Sequence, residues 1–262
     1  MRNKAVLSDL HLVKEGVLSH GLDTTERLRA GVAAINARHA DADFCVLAGD
    51  LADLGDAEAY ERLKDCLADL SVPLHITIGN HDNRDTFLEV FGAEYAADTG
   101  CVDKVIDAKG QRVILLDSAV TGQHGGRLEP VQLNWLSTRL AEAHDVPVTV
   151  ILHHHANPLR TKVDRIILEN GPEFVAVLKT HDQIRQVIAG HVHYTSTAMW
   201  QGVPFTTLAG GHYNVTIPLG PDADPVRLDG PAQMAVVLSD DQQTLVHFDN
   251  YLDASVVLQA GA

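Results

Sequence analysis

Leu74-His75-Ile76-Thr77-Ile78-Gly79-Asn80-His81-Asp82 joins an apolar, strand-like run to a tight polar turn. The turn sets an amide oxygen and an imidazole at one strand end. Taken alone it says little, since Gly-Asn is a common loop dipeptide and a loop histidine is ordinarily solvated. Four other strand-like runs, however, end in the same residue types: Val6-Leu7-Ser8-Asp9-Leu10-His11, Val46-Leu47-Ala48-Gly49-Asp50, Val150-Ile151-Leu152-His153-His154-His155 and Val187-Ile188-Ala189-Gly190-His191-Val192-His193. Such recurrence points to a sheet whose strand ends share one site.

Before residue 74, Asp56 is placed to cap a helix in which Tyr60, Leu63, Leu67 and Leu70 recur at helical spacing, and Val72-Pro73 ends it. Earlier still come a buried strand at 44–48, a helix entered through the capping-box pair Asp23 and Glu26 with Leu28, Val32 and Ile35 on one face, a loop at 12–22 and a strand at 4–8. Strand, helix, strand, helix, strand is the pattern of parallel strands covered by helices. After residue 82 the sequence predicts a short helix at 85–91, strands at 101–107 and 112–117 joined by Lys109-Gly110, a glycine-rich loop at 121–128 and a helix opened by Glu129-Pro130 with Leu133, Leu136 and Leu140 on one face. A strand at 148–152, a long connection at 155–172, a helix near 173–180 and a strand at 186–190 follow. Beyond 194 the pattern changes to short strands at 198–200, 204–208, 235–238 and 244–248, with Asp240-Asp241 as a hairpin turn and 218–231 as a loop. The expected fold is a two-sheet α/β sandwich forming one domain over 1–262. Residues 1–193 would carry the polar strand ends, on the C-terminal edge where open parallel sheets place their sites, and 194–262 would be a short-strand part available for oligomer contact.

Composition narrows the function. With 262 residues, 45% of them hydrophobic, the chain can bury one large core. A net charge of −15 removes any broad attraction to a nucleic acid polymer or an anionic membrane, so a phosphate-bearing substrate must be held locally, by metal ions or a few basic groups. Cys45, Cys66 and Cys101 have no metal-type spacing and read as reduced thiols of a cytoplasmic protein. The first apolar run is broken at Ser8-Asp9, short of a signal-peptide core or a membrane span.

Asp9 and His11 are two apart, so in an extended segment they would leave on one face, and His191 and His193 repeat the device. Asp50 adds a carboxylate, Asn80 an amide oxygen and the 153–155 run an imidazole. Mixed nitrogen and oxygen donors suit zinc, manganese or iron better than calcium. Seven ligands exceed one tetrahedral ion but fit two sharing a bridging carboxylate, and two ions about 3.5 to 4 Å apart serve in-line displacement at phosphorus, with a bridging water as nucleophile. Each residue has a bland alternative, a helix cap for Asp, a turn for Gly-Asp, a surface or core role for His-x-His, yet five strand ends in concert favour the site. His20, His39, His75, His124, His144, His181 and His247 read as ordinary.

Asp9-Leu10-His11, Gly49-Asp50, Gly79-Asn80-His81-Asp82, the histidines after 148–152 and Gly190-His191-Val192-His193 resemble, in order, the five motifs of the calcineurin-like metallophosphoesterases, over residues 5–193. The resemblance implies two divalent ions, iron, manganese or zinc. Asp9, His11, Asp50 and His193 would hold one, and Asp50, Asn80, His153 and His191 the other. His81 would stand outside both, touching the phosphoryl group or protonating the leaving oxygen. His81, Asp50 and Asn80 are therefore the expected catalytic residues. Gly49-Asp50-Leu51-Ala52-Asp53-Leu54-Gly55 lacks the arginine found in protein serine/threonine phosphatases, and Asp82 stands where those have Glu. The chain is more similar to the class III phosphodiesterases, a group with cyclic-nucleotide and glycerophosphodiester enzymes, which Asp117-Ser118 and Tyr194 after His193 also resemble. Where that group has His-His-Pro-Pro, this chain has His153-His154-His155-Ala156-Asn157-Pro158, leaving His153, the favoured ligand, and His154 as alternatives.

The implied reaction is hydrolysis of a small phosphodiester, a 3′,5′-cyclic nucleotide or a glycerophosphodiester, by attack of a metal-bound hydroxide. A phosphomonoesterase, a 2′,3′-cyclic nucleotide phosphodiesterase and a non-catalytic metal-binding scaffold are the alternatives, the last disfavoured by the complete ligand set. His81, His154, Tyr194, His212 of the Gly210-Gly211-His212 turn and the 155–172 loop are expected to face the substrate. Members of the group commonly pair through their last segment, and Trp200, Val203 and Phe205 offer apolar surface for it, so a homodimer or larger assembly is expected.

Overall fold

Alternation of side chains along buried strands builds three apolar layers. In order, the elements are β1 (Arg2–Leu7), α1 (Thr24–Arg38), β2 (Phe44–Ala48), α2 (Ala57–Leu67), β3 (Leu74–Thr77), α3 (Arg84–Phe91), β4 (Lys104–Ala108), β5 (Gln111–Leu116), α4 (Pro130–Ala143), β6 (Val148–Leu152), α5 (Gly171–Leu178), β7 (Ile184–Ala189), β8 (Ser196–Trp200), β9 (Val203–Thr207), β10 (Asn214–Val215), β11 (Arg227–Leu228), β12 (Ala232–Ser239) and β13 (Thr244–Leu252). This computed structural model describes residues 2–219 and 223–253.

One sheet runs β13-β12-β1-β2-β3 and the other β4-β5-β6-β7-β9-β8. β1, β2 and β3 are parallel, as are β5, β6, β7 and β9, while β12, β13, β4 and β8 add antiparallel edges. Phe44, Val46 and Ala48 of β2 face Ile151 of β6 and Ile188 of β7 in the layer between the sheets. The alternate residues Cys45 and Leu47 turn outward onto Leu28, Ile35, Tyr60 and Leu63 of α1 and α2. On the far side Val148, Val150 and Leu152 pack with Leu136 and Leu140 of α4 and Phe174 of α5. The result is the expected two-sheet α/β sandwich, with helices outside both sheets.

Helix entries follow the sequence. Asp23 accepts from the N–H groups of Thr25 and Glu26, Asp56 from Ala59, and Asn83 from Thr86. Glu129 and Gln132 form a capping box at α4, whose first residue is Pro130.

The region after 194 departs from expectation. β8 and β9 extend the second sheet and β12 and β13 the first, so it is no small sheet with an open face. Val203 and Phe205 are buried in the second sheet's core and Trp200 packs partly against it, which withdraws them as association surface. β10, just before the stretch read as a loop, and β11, inside it, form a two-stranded flap. Residues 254–262 of the expected C-terminal part lie outside the described residues. Among the described residues no helix is long and apolar enough to cross a membrane.

Candidate metal centre and its cleft

β1, β2, β6 and β7 deliver their polar residues to one edge, where the chain abandons extended geometry. Asp9, His11, Asp50, His191 and His193 all have positive φ, between 48° and 73°. Non-glycine residues in this region store strain and persist only where the surroundings hold them. Asp9 and His11 therefore converge through left-handed turns beyond the strand, not through the alternation of an extended segment. Close approach of the loops needs glycine. A side chain at Gly49, itself at φ +88°, would come within 2.7 Å of His153, and one at Gly190 would overlap the Ser8 hydroxyl.

Two ligand sets result. Atoms of Asp9, His11 and His193 lie within 4.8 Å of one another, as do those of Asp50, His153 and His191, and a third grouping links His11, Asp50 and His81. Asp50 Oδ2 is 3.6 Å from His11 Nε2 and 3.2 Å from His153 Nε2, so it stands between the sets. Asp50 Oδ1 instead accepts the His81 N–H at 2.9 Å, and Asp9 Oδ1 accepts the His191 N–H at 2.9 Å. Each carboxylate is thus oriented through one oxygen. Asp9 Oδ2 and Asn80 Oδ1 are buried with no hydrogen-bond partner in the structure.

Tautomers follow from the outer contacts. His153 Nδ1 lies 3.1 Å from the Ala48 carbonyl, His193 Nδ1 2.8 Å from that of Tyr213 and His191 Nε2 3.0 Å from that of Ile166, while His11 Nδ1 is 3.0 Å from Asp53 Oδ1. Acceptors can only receive a proton, so these nitrogens carry the N–H and the opposite ring nitrogens turn inward. There His11 Nε2 meets His193 Nε2, and His153 Nε2 meets His191 Nδ1, each at 3.3 Å. Lone pairs facing at that distance repel unless a cation or proton lies between them. The inward lone pairs and the two orphaned oxygens fit divalent metal ions bound by nitrogen and oxygen.

Protons show the same tendency. Burial opposes charge on His153, but Asp50 overcomes it and raises the imidazole to about 9. Burial likewise opposes charge on His11, and the Asp53 contact with the Asp50 and Asp9 carboxylates raises it. Asp50, despite burial, is held well below the usual carboxylate range by His153, His11 and His81. His191 and His193 are lowered by burial first and then by neighbouring imidazoles. Positive charge is thus favoured on the two imidazoles that face Asp50, His11 and His153.

His81 is 35% exposed at the mouth, its Nδ1–H donating to the Asp53 carbonyl at 2.8 Å and its ring 4.6 Å from that of His11. Asp82 accepts from the N–H groups of Gly79, Leu51 and Ala52 and from the Tyr60 hydroxyl, which ties the 79–82 turn to the loop after β2. Burial and the nearby Asp50 push its carboxyl up to about 6, against these bonds.

Three expected substrate contacts are placed elsewhere. Tyr194 is buried, its hydroxyl 3.1 Å from Thr161 Oγ1, and anchors the 155–172 loop rather than facing the cleft. His212 is fully buried behind His11 with Nε2 3.1 Å from the Ser19 carbonyl, and burial lowers it to about 3. His154 is also fully buried, with Nδ1 2.8 Å from Ser118 Oγ and Nε2 3.2 Å from the His124 carbonyl. Its ring meets that of His153 edge-on, with centroids 5.1 Å apart. The cleft over the ligands holds about 210 Å³ and is walled by His124, Val163 and Ile166 on one part and by Tyr213, Val215, Pro225 and Arg227 on another. His124, read as ordinary, belongs here. Asp53 was legible as a second carboxylate in the Asp50 loop, whereas Tyr213 and Arg227 carried no local signal.

An α/β sandwich that gathers histidines, carboxylates and an amide at the C-terminal ends of its parallel strands defines a metal-dependent phosphoesterase. The chain belongs to the calcineurin-like phosphoesterase family, whose sequence model matches residues 4–195. It is 36% identical over 212 residues to the "Probable cyclic nucleotide phosphodiesterase" of Rhodococcus erythropolis, covering 79% of this chain and 70% of that protein. To the "Probable glycerophosphodiester phosphodiesterase GpdQ" of Arcobacter nitrofigilis it is 27% identical over 252 residues, 94% of this chain and 92% of that one. Among solved structures, a dimetal phosphatase from Danio rerio shares the fold with a TM-score of 0.65 at 18% identity, covering 94% of this chain and 98% of that one.

Proposed function

We propose that the protein is a metal-dependent phosphodiesterase acting on a small diester, a 3′,5′-cyclic nucleotide or a glycerophosphodiester. The observation that carries this reading is Asp50 Oδ2 standing between two sets of inward-facing imidazole nitrogens, at 3.6 Å from His11 and 3.2 Å from His153. Asp9, His11, Asp50 and His193 would hold one divalent ion, and Asp50, Asn80, His153 and His191 a second, of iron, manganese or zinc. Such ions, when bound, draw charge from a phosphoryl oxygen and acidify water.

The chain's own groups do the rest. The Asp53 carbonyl fixes the Nδ1–H of His81 and leaves Nε2 free, so in its imidazolium form His81 carries on Nε2 the proton that it hands to the departing alkoxide or donates to a phosphoryl oxygen. The Ser118 and His124 contacts of His154 hold the strand end that presents His153. A cleft of about 210 Å³ suits a small substrate.

Parallel initial rates on 3′,5′-cAMP, 2′,3′-cAMP, glycerophosphocholine, p-nitrophenyl phosphate and bis(p-nitrophenyl) phosphate, with and without chelator, test the reading. Diester turnover abolished by chelation is expected. A clear preference for the monoester, or full diesterase activity in chelated protein, would overturn it.

A further inference from the structure

Arg227 is the one permanently cationic side chain among the described residues that line the cleft. It lies on β11, paired with Val215 of β10 in the flap. The flap is tied to the metal-ligand edge: the Val215 N–H donates to the His193 carbonyl at 3.0 Å, and His193 Nδ1 donates to the Tyr213 carbonyl at 2.8 Å. Tyr213 is further fixed by stacking on the His193 ring, centroids 4.2 Å apart and planes 15° apart. The Arg227 guanidinium sits over the Tyr213 ring at 5.2 Å. A continuous stack therefore leads from a candidate metal ligand to an arginine at the outer wall. Arg227 lines the same cleft as Asp50, Asn80 and His81, so a diester held by those residues brings its organic half among these walls.

The chemistry of this wall separates a planar base from a quaternary-ammonium alcohol. A guanidinium is planar, weakly hydrated and always charged, and it both stacks on π systems and donates to heterocycle edges. A quaternary ammonium needs the opposite, an open aromatic face with no competing cation. Here the aromatic face is already taken by His193 and Arg227. The other walls are apolar, Val163, Ile166, Val215 and Pro225, and Arg227 itself is exposed, so it repels a cation only at contact range. The lining carboxylate, Asp50, stands in the ligand sets.

We propose that Arg227, seated on Tyr213, is the specificity-determining residue of the cleft, receiving the planar base of a 3′,5′-cyclic nucleotide and rejecting cationic alcohols such as choline. This deepens, and rests on, the phosphodiesterase reading above. Direct binding separates its failure from failure of that reading. AMP and phosphocholine share a phosphoryl group and differ in the organic half, and neither needs to be hydrolysed. Titration calorimetry on the full chain loaded with manganese should find AMP at least about tenfold tighter than phosphocholine, in keeping with one cation–π or stacking contact. Arg227→Met should weaken AMP about tenfold and leave phosphocholine unchanged or tighter, with metal content and Tm as in the wild type. Arg227→Lys, which keeps the charge and loses the plane, should still reject phosphocholine but bind AMP more weakly than the parent. Equal binding of the two ligands by the wild type, or an equal shift of both in Arg227→Met, would overturn the assignment. Absence of diester turnover alongside the predicted binding ratio would count against the reaction and not against Arg227.

Discussion

His153 and His154 are neighbours with opposite surroundings. His153 faces Asp50 and His191, whereas His154 is spent on Ser118 and the His124 carbonyl. His153→Ala should lower bound metal from about two equivalents toward one, read by elemental analysis, while His154→Ala should keep both and lose turnover. The reverse pattern would make His154 the ligand. His81 has one nitrogen committed to the Asp53 carbonyl and the other free at the mouth. His81→Ala should lower kcat by about 10² to 10⁴, roughly 3 to 5 kcal/mol of barrier, at unchanged metal content. Loss of metal in that variant would make His81 a ligand or a structural residue.

Among the elements, β3 carries a titratable group away from the site. His75 at its start is lowered to about 4 by burial and, next, by Lys104, and its ring meets Phe44 edge-on at 5.2 Å. The folded value lies below that of the unfolded chain, so the unfolded chain takes up the proton first. The stability His75 permits is complete above its ordinary value of 6.5 and is lost as pH falls toward 4. His75→Gln should gain on the wild type in urea midpoint progressively across that window. A gap that stays constant with pH would remove His75 as the source.

The whole molecule couples the two sheets through the site, since Asp9 and His11 follow β1, Asp50 follows β2, His153 follows β6, and His191 and His193 follow β7. A ligand bound only by the folded form stabilises it by about 2.7 kcal/mol at a hundredfold excess over Kd. Chelation should therefore lower Tm by about 5 to 10 °C, and an unchanged Tm would show that metal does not bridge the sheets. Association, no longer motivated by Val203 and Phe205, now rests on Ile217, Leu219, Val226 and Leu228, which are exposed on and beside the flap. Sedimentation at micromolar concentration should give more than one chain, and a mass of 28.3 kDa would end that expectation.

What the sequence determined by itself was local or periodic. Apolar alternation marked the strands, Asp23, Asp56 and Pro130 marked the helix starts, and the order of Asp9, Asp50, Asn80, His153, His191 and His193 at strand ends pointed to one edge. Register and direction were not local. Tyr194 and His212 lie within the right stretches, but packing turned them onto Thr161 and the Ser19 carbonyl. The stretch after 194 read as short strands available for oligomer contact because pairing partners are set by strand edges outside the stretch, β7 for β9 and the distant β1 for β12. Arg227 reaches the cleft only because β11 pairs with β10, which hydrogen bonds to the His193 strand end. A side chain's identity is written in the sequence, whereas its direction is set by the backbone it packs against, and at this site only the tertiary structure decided that.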